Sequence, residues 1–169
     1  MNNFALHLIL HDIRSAHNVG AILRTCDAAG VAGVSACGYT PYPLVPSDHR
    51  PPHIASSNAR AIAKTALGAE KTVPVRHFPD TLSAIAEAKQ LGFKIIVLEQ
   101  SERSLNLYRY TPTGPLALVV GNEVSGVAPG VLAAADTILE LPMLGRKESL
   151  NVAVSAGIAL YHLRYGTSP

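Results

Sequence analysis

Three short stretches hold the residue types whose spacing could do chemistry. The first is HDIRSAHNVGAILRTCDAAG at 11–30, where Asn18, Gly20 and Arg24 sit as a polar segment turns helical. Asn18 suits a helix N-cap, which makes Val19 the first helical residue. Gly20 lies one turn before Arg24 on the same side. Helical side chains lean toward the N-terminus, so Arg24 is expected over the spot that Gly20 leaves bare. An uncovered guanidinium beside backbone N–H groups suits a phosphate oxygen. A solvated arginine on an amphipathic helix explains the stretch equally well when it is taken alone. The second stretch, LALVVGNEVSGV at 116–127, sets Gly121, Asn122, Glu123 and Gly126 directly after a buried strand. Open α/β sheets bind ligands there, and glycine lets backbone approach a ligand closely. The plainer alternative is a tight turn with a solvated glutamate. The third stretch, LPMLGRKESLNVAVSAGIALYHLRY at 141–165, bends at Pro142 and Gly145 before a helix that is apolar nearly all round. Ser149 is expected to cap that helix. Asn151, on its first turn, is a polar group in tight surroundings that needs partners. Its alternative is a core helix with a capping serine.

The surrounding elements must bring these stretches together. Apolar runs predict strands at 5–10, 34–39, 73–78, 93–99, 116–121 and 137–142. Helical spacing predicts helices at 18–29, 56–71 (ending near Gly68) and 81–91, a short one after Pro129, and a last one from Ser149 to about Arg164. Asp80 caps and Gly92 ends the third of these helices. Residues 101–110 read as a loop with one helical turn, and 41–52 as a long proline-rich loop. Apolar strands alternating with helices predict an α/β fold: a mainly parallel sheet with helices on both faces.

Composition bounds the function. The 169 residues are 48% hydrophobic and 15% charged, which describes one packed domain over 1–169 rather than a disordered chain. The net charge of +2 permits a polyanionic partner without demanding one. Two cysteines, Cys26 and Cys37, are too few for a disulfide framework and fit a reducing compartment. No basic leader and no apolar run of membrane-spanning length appear, so a soluble, cytoplasmic protein is expected with no membrane partner. The dinucleotide fingerprint G-x-G-x-x-G, the phosphate loop and the G-x-S-x-G elbow are all absent. The seven histidines show no metal-ligand spacing, and no metal is expected.

Together the three stretches resemble the SpoU (TrmH-like) family of RNA methyltransferases within the SPOUT superfamily. The residues that carry the resemblance are Asn18-Val19-Gly20 with Arg24, then Gly121-Asn122-Glu123 with Gly126. Leu141-Pro142-Met143 with Gly145 and Ser149-Leu150-Asn151 complete it. The resemblance implies a C-terminal deep trefoil knot, against the general rule. It implies S-adenosylmethionine as methyl donor and a homodimer with the active site near its interface, the apolar last helix being the candidate for burial there. Leu98, Gly121, Leu141, Met143 and Leu150 would hold the cofactor. Arg24, Asn18, Glu123, Ser149 and Asn151 would surround the reacting ribose 2′-hydroxyl of an RNA, tRNA ahead of rRNA. The family's usual proposal makes the arginine a general base. A guanidinium normally stays protonated, so a simpler role for Arg24 is to bind a phosphate and stabilise the developing alkoxide. The proton would then pass to phosphate, water or Glu123. No separate RNA-binding domain is expected, so RNA must meet this domain itself. Arg146 and Lys147 are the best-placed cations; Arg60, Lys64 and Lys71 could extend a basic face. Tyr39, Tyr42, His49, Arg50 and His53 could stack on bases or touch phosphates, or be plain loop residues. A non-catalytic RNA-binding relative and a nucleotide enzyme of another doubly wound type are the competing readings.

Overall fold

The structure is a computed structural model that describes residues 3–46 and 48–166. Seven strands run as β1 (Leu6–His11), β2 (Gly33–Cys37), β3 (Val75–Phe78), β4 (Lys94–Leu98), β5 (Leu105–Asn106), β6 (Leu116–Val120) and β7 (Thr137–Glu140). They form one sheet in the order β3-β2-β1-β6-β4-β7-β5. Every pairing is parallel. Four helices lie between strands, α1 (Ala16–Ala28), α2 (Pro52–Ala66), α3 (Thr81–Gln90) and α4 (Pro129–Ala133), and α5 (Val152–Tyr165) follows the last strand. The expected parallel α/β sheet is therefore present.

The central strands are apolar along their length because both faces are covered. Leu6, Leu8, Leu10, Leu118 and Val120 face one way, into a cluster with Ile22 and Leu23 of α1, Ile62 of α2 and Ala156 and Leu160 of α5. The alternate residues Ile9, Ala117, Val119, Ile95 and Val97 face the other way, onto Ala84, Ile85 and Ala88 of α3 and Val131 of α4. Each buried leucine or isoleucine contributes roughly 1.5–3 kcal/mol relative to an exposed one. The alternation therefore sets which helices lie on which face. Arg164, near the end of α5, is buried and donates to the carbonyls of Ala29, Gly30 and Phe4 at 3.0, 2.8 and 2.7 Å. It ties the C-terminal helix to the end of α1, where a cation favours the helix dipole.

Several local expectations are corrected. Ser15, not Asn18, caps α1: its hydroxyl accepts the Asn18 N–H at 3.2 Å, and the helix begins at Ala16. Asn151, not Ser149, caps α5, its side-chain Oδ1 accepting the Ala153 N–H at 2.8 Å. Helix α2 starts at Pro52 and stops at Ala66, where Leu67 turns left-handed with φ of 52°. Residues Ala69–Lys71 form a separate 3₁₀ turn. Proline tolerates a first-turn position because its missing N–H would have no helical partner. Gly20 does not bare a surface for Arg24. It is buried, and a Cβ there would collide with the Ile62 carbonyl and the Thr65 hydroxyl of α2. The missing side chain lets α1 and α2 touch.

Candidate active site

A cleft of about 470 Å³ opens beyond the carboxyl ends of β4, β6 and β7. Its size suits a nucleoside-sized ligand. Apolar walls come from Leu98, Val120, Leu141, Leu150 and Val152, and Gly121 forms part of its surface. A Cβ on Gly121 would lie 2.5 Å from Val127 Cγ2 and 2.8 Å from the Gly126 carbonyl, so only glycine fits this turn. Gly126 is left-handed, with φ of 65°, and a Cβ there would meet Glu99 Oε2 at 2.5 Å. Among the described residues, the lining includes three carboxylates, Glu99, Glu123 and Glu140, and no lysine, arginine or histidine. The cleft is thus anionic and favours a cationic ligand.

Asn122 organises the loop after β6. Its Oδ1 accepts the N–H groups of Val124 and Ser125 at 2.8 and 2.9 Å. Its Nδ2 donates to the Asp12 carbonyl at 2.7 Å and to the Tyr39 hydroxyl at 2.6 Å. All four hydrogen-bonding sites of this buried amide are used. Glu99 holds the far side of the same loop, accepting the Val127 N–H at 2.9 Å. Gln100 donates to the Glu148 carbonyl at 2.8 Å and so ties the end of β4 to the 141–150 loop.

Glu123 joins the three stretches singled out in the sequence. It accepts the Arg14 N–H at 2.9 Å, the Ser15 N–H at 3.3 Å and the Asn18 side-chain amide at 2.8 Å. Asn18 Oδ1 in turn accepts from Asn151 Nδ2 at 3.2 Å. Partial burial pushes the Glu123 carboxyl upward, but the hydrogen bonds from Arg14, Asn18 and the local backbone outweigh it and leave the group below its ordinary value. A carboxylate held in its anionic form, with both oxygens occupied, is better suited to positioning Asn18 than to taking a proton.

The expected site residues divide accordingly. Leu98, Gly121, Glu123, Leu141, Ser149 and Leu150 line the cleft. Asn18 and Asn151 join at its rim through Glu123. Met143 and Arg146 are not among the lining residues, and Arg146 is exposed. Arg24 does not line the cleft either; it is exposed and, among the described residues, has no hydrogen-bond or ion-pair partner. Six residues past Asn18, it stands about 9 Å along α1 and on another side of the helix. One chain alone does not unite Arg24 with the cleft.

Two loop residues offered for RNA are structural instead. Tyr42 is buried, with the Arg50 guanidinium 3.4 Å above its ring and His77 stacked at 4.6 Å. Arg50 also donates to Asp48 and to the carbonyls of Tyr42 and Pro43. His49, His53, Arg60, Lys64, Lys71 and Lys147 are exposed. Sequence reasoning gave no role to Glu99, Gln100 or Glu140, and it named Asn122 only as part of the motif after the strand, without a site role. The available signal was their position at strand ends, one or two residues beyond apolar runs. Among the described residues, no group of three or more His, Cys, Asp or Glu is placed to hold a metal, and no helix is long and apolar enough to cross a membrane.

Comparison with known proteins agrees with this geometry. The model of the SpoU rRNA Methylase family matches residues 5–161. A tRNA (guanosine(18)-2′-O)-methyltransferase of Aquifex aeolicus is 34% identical over 150 residues, covering 89% of this chain and 64% of that enzyme. The AdoMet-bound rRNA methyltransferase of Sinorhizobium meliloti superposes with a TM-score of 0.78 at 25% identity, over 95% of this chain and 56% of that one. A structure described as giving insights into 2-OH methylation of C/U34 on tRNA has a TM-score of 0.74 at 26% identity, over 96% of this chain and 95% of that one. The chain thus spans less than two thirds of the Aquifex and Sinorhizobium proteins. With a family match across 5–161 and the three stretches meeting at one cleft, the chain belongs to the SpoU methylase family.

Proposed function

We propose that this chain is an S-adenosylmethionine-dependent RNA methyltransferase that acts on a ribose 2′-hydroxyl in the cytoplasm. The observation that carries the reading is the cleft itself. Its apolar walls and side-chain-free Gly121 suit an adenine read by main chain, and its three carboxylates suit a sulfonium. Leu98, Leu141 and Leu150 would flank the adenosine and Gly121 would offer backbone; Met143 belongs to the same loop. The cofactor would supply an already activated methyl group. What remains for the protein is alignment, which in favourable cases contributes about 7–11 kcal/mol, and charge stabilisation at the hydroxyl. Glu123 fixes Asn18, and Asn18 fixes Asn151, at the rim where the ribose would enter, with Ser149 in the wall beside them.

A cleft rich in carboxylates repels RNA phosphate, so a cation must come from elsewhere. A second copy of the chain would provide it. Val154, Tyr161 and Tyr165 of α5 are 51, 45 and 46% exposed, an apolar stripe on a helix that packs against α1. Burial of this stripe in a homodimer would carry Arg24 toward the neighbour's cleft, where it binds phosphate and stabilises the alkoxide. The 141–150 loop would close the trefoil knot between β7 and α5. Arg146 would lie on the substrate side. The tRNA assignment, ahead of rRNA, rests on the relative of nearly equal length described as concerning tRNA. Calorimetry with S-adenosylhomocysteine tests the reading: micromolar binding is expected, and absence of binding favours a non-catalytic RNA-binding relative.

A further inference from the structure

The ring of Tyr39 is 62% exposed, yet it is held at both ends. Its hydroxyl receives the Asn122 amide at 2.6 Å, and its own N–H donates to Asp12 Oδ1 at 3.2 Å. The flanking backbone is pinned as well. The Gly38 N–H donates to the Phe78 carbonyl at 3.1 Å, and the Thr40 N–H to the Cys37 carbonyl at 3.2 Å. The Thr40 hydroxyl donates its one proton to the Cys37 carbonyl at 2.7 Å, with the Leu10 carbonyl 3.2 Å away, and accepts the Ile13 N–H at 3.0 Å. Gly38 has φ of 62°, and a Cβ on it would collide with the Asp12 carboxylate. Asp12 itself is a left-handed non-glycine residue with φ of 53°. Such a conformation is costly and persists only where the surroundings enforce it.

Immobilising an exposed aromatic ring sacrifices side-chain entropy and gains little burial. The arrangement makes sense when the ring's free face is used by a ligand. The ring's anchor, Asn122, is a cleft residue that also shapes the Val124–Ser125 turn. Tyr39 therefore stands at the edge of the proposed reaction site, on the side of β1 and β2, away from the adenosine walls. The exposed Arg14, whose N–H is held by Glu123, lies on the neighbouring loop. A flat π-face beside a cleft that takes RNA matches a nucleobase, because unpaired RNA bases are recognised by stacking on aromatic side chains.

We propose that Tyr39 is a preformed stacking platform for an unpaired base of the substrate RNA, at or next to the methylated nucleotide. It is a substrate-positioning residue, and its assignment rests on the methyltransferase reading. The test compares wild type, Tyr39→Phe and Tyr39→Ala for binding of bulk tRNA in the presence of S-adenosylhomocysteine, with cofactor affinity and thermal melting measured in parallel. Tyr39→Ala is expected to bind RNA about 5- to 100-fold more weakly, with cofactor affinity within about threefold of wild type. Tyr39→Phe, which keeps the ring, is expected to stay within about threefold for RNA. Equal RNA affinity for Tyr39→Ala and wild type overturns the platform and leaves methyl transfer standing. A loss in Tyr39→Phe as large as in Tyr39→Ala assigns the effect to the hydroxyl and also overturns it. A wild type that binds no RNA overturns it too. Wild type that binds tRNA through Tyr39 but transfers no methyl group instead overturns the catalytic reading.

Discussion

Glu123→Gln is the most informative single substitution. In the wild type, Glu123 Oε2 accepts the Arg14 N–H, and Oε1 accepts from Ser15 and from the Asn18 amide. Glutamine retains one acceptor oxygen. If that oxygen keeps the Ser15 and Asn18 bonds, the new amide NH₂ faces the Arg14 N–H, donor against donor. The loss is one charge-assisted hydrogen bond at an exposed site, screened by solvent, together with an anion near the start of α1. We expect about 1–2 kcal/mol, which for a domain of this size lowers Tm by roughly 2–8 °C. The pH dependence is signed. A carboxyl whose folded value lies below its unfolded one contributes stability that is fully present above the unfolded value near 4.5 and is lost as pH falls through the folded value. The difference between wild type and Glu123→Gln should therefore be largest at neutral pH and shrink below about pH 4.5. Thermal melting followed by far-UV circular dichroism across pH 7 to 3.5 measures it. Melting temperatures within about 1 °C at neutral pH, or a gap that widens as the pH falls, would refute the role given to the carboxylate.

Other predictions concern packing and reactivity. Gly20→Ala should destabilise despite the better helix propensity of alanine, because the collision with Ile62 and Thr65 costs about 1–3 kcal/mol against a gain of about 1; a variant at least as stable in urea would show that the helices slide apart freely. Gly121→Ala should weaken S-adenosylhomocysteine binding more than about tenfold while retaining its circular dichroism spectrum, and undiminished calorimetric binding would remove Gly121 from the cofactor site. Burial pushes the Cys26 and Cys37 thiols up to about 12, so a thiol-specific chromophore should label neither in the native protein at pH 8 and both in guanidinium; rapid native labelling would contradict their burial.

The strands were legible because a parallel sheet covered on both faces writes itself as apolar runs such as LHLIL and LALVV. The sheet order was not legible, since no run records its neighbour. The meeting of the three polar stretches was legible only through family resemblance. Local rules failed where a side chain had a distant partner. Asn18 has the chemistry of a cap, but Glu123 claims it across 105 positions, and Ser15 caps instead. Gly20 serves the crossing of α2 and not Arg24, and the sequence does not show that α2 crosses there. The Arg50 and Tyr42 side chains offered RNA-binding chemistry, yet they stack on one another inside the proline-rich loop. Asn122 looked like a turn residue, and its four bonds reach three separate segments of chain.

The central claim is that an anionic, nucleoside-sized cleft works with the Arg24 guanidinium to methylate an RNA ribose. Transfer of a labelled methyl group from S-adenosylmethionine to tRNA, followed by alkaline digestion, tests it most directly. The account predicts label in an alkali-resistant dinucleotide for the wild type and near-complete loss for Arg24→Lys, which keeps the charge but not the fork. Label on a base, or nearly full ribose methylation by Arg24→Lys, would contradict it.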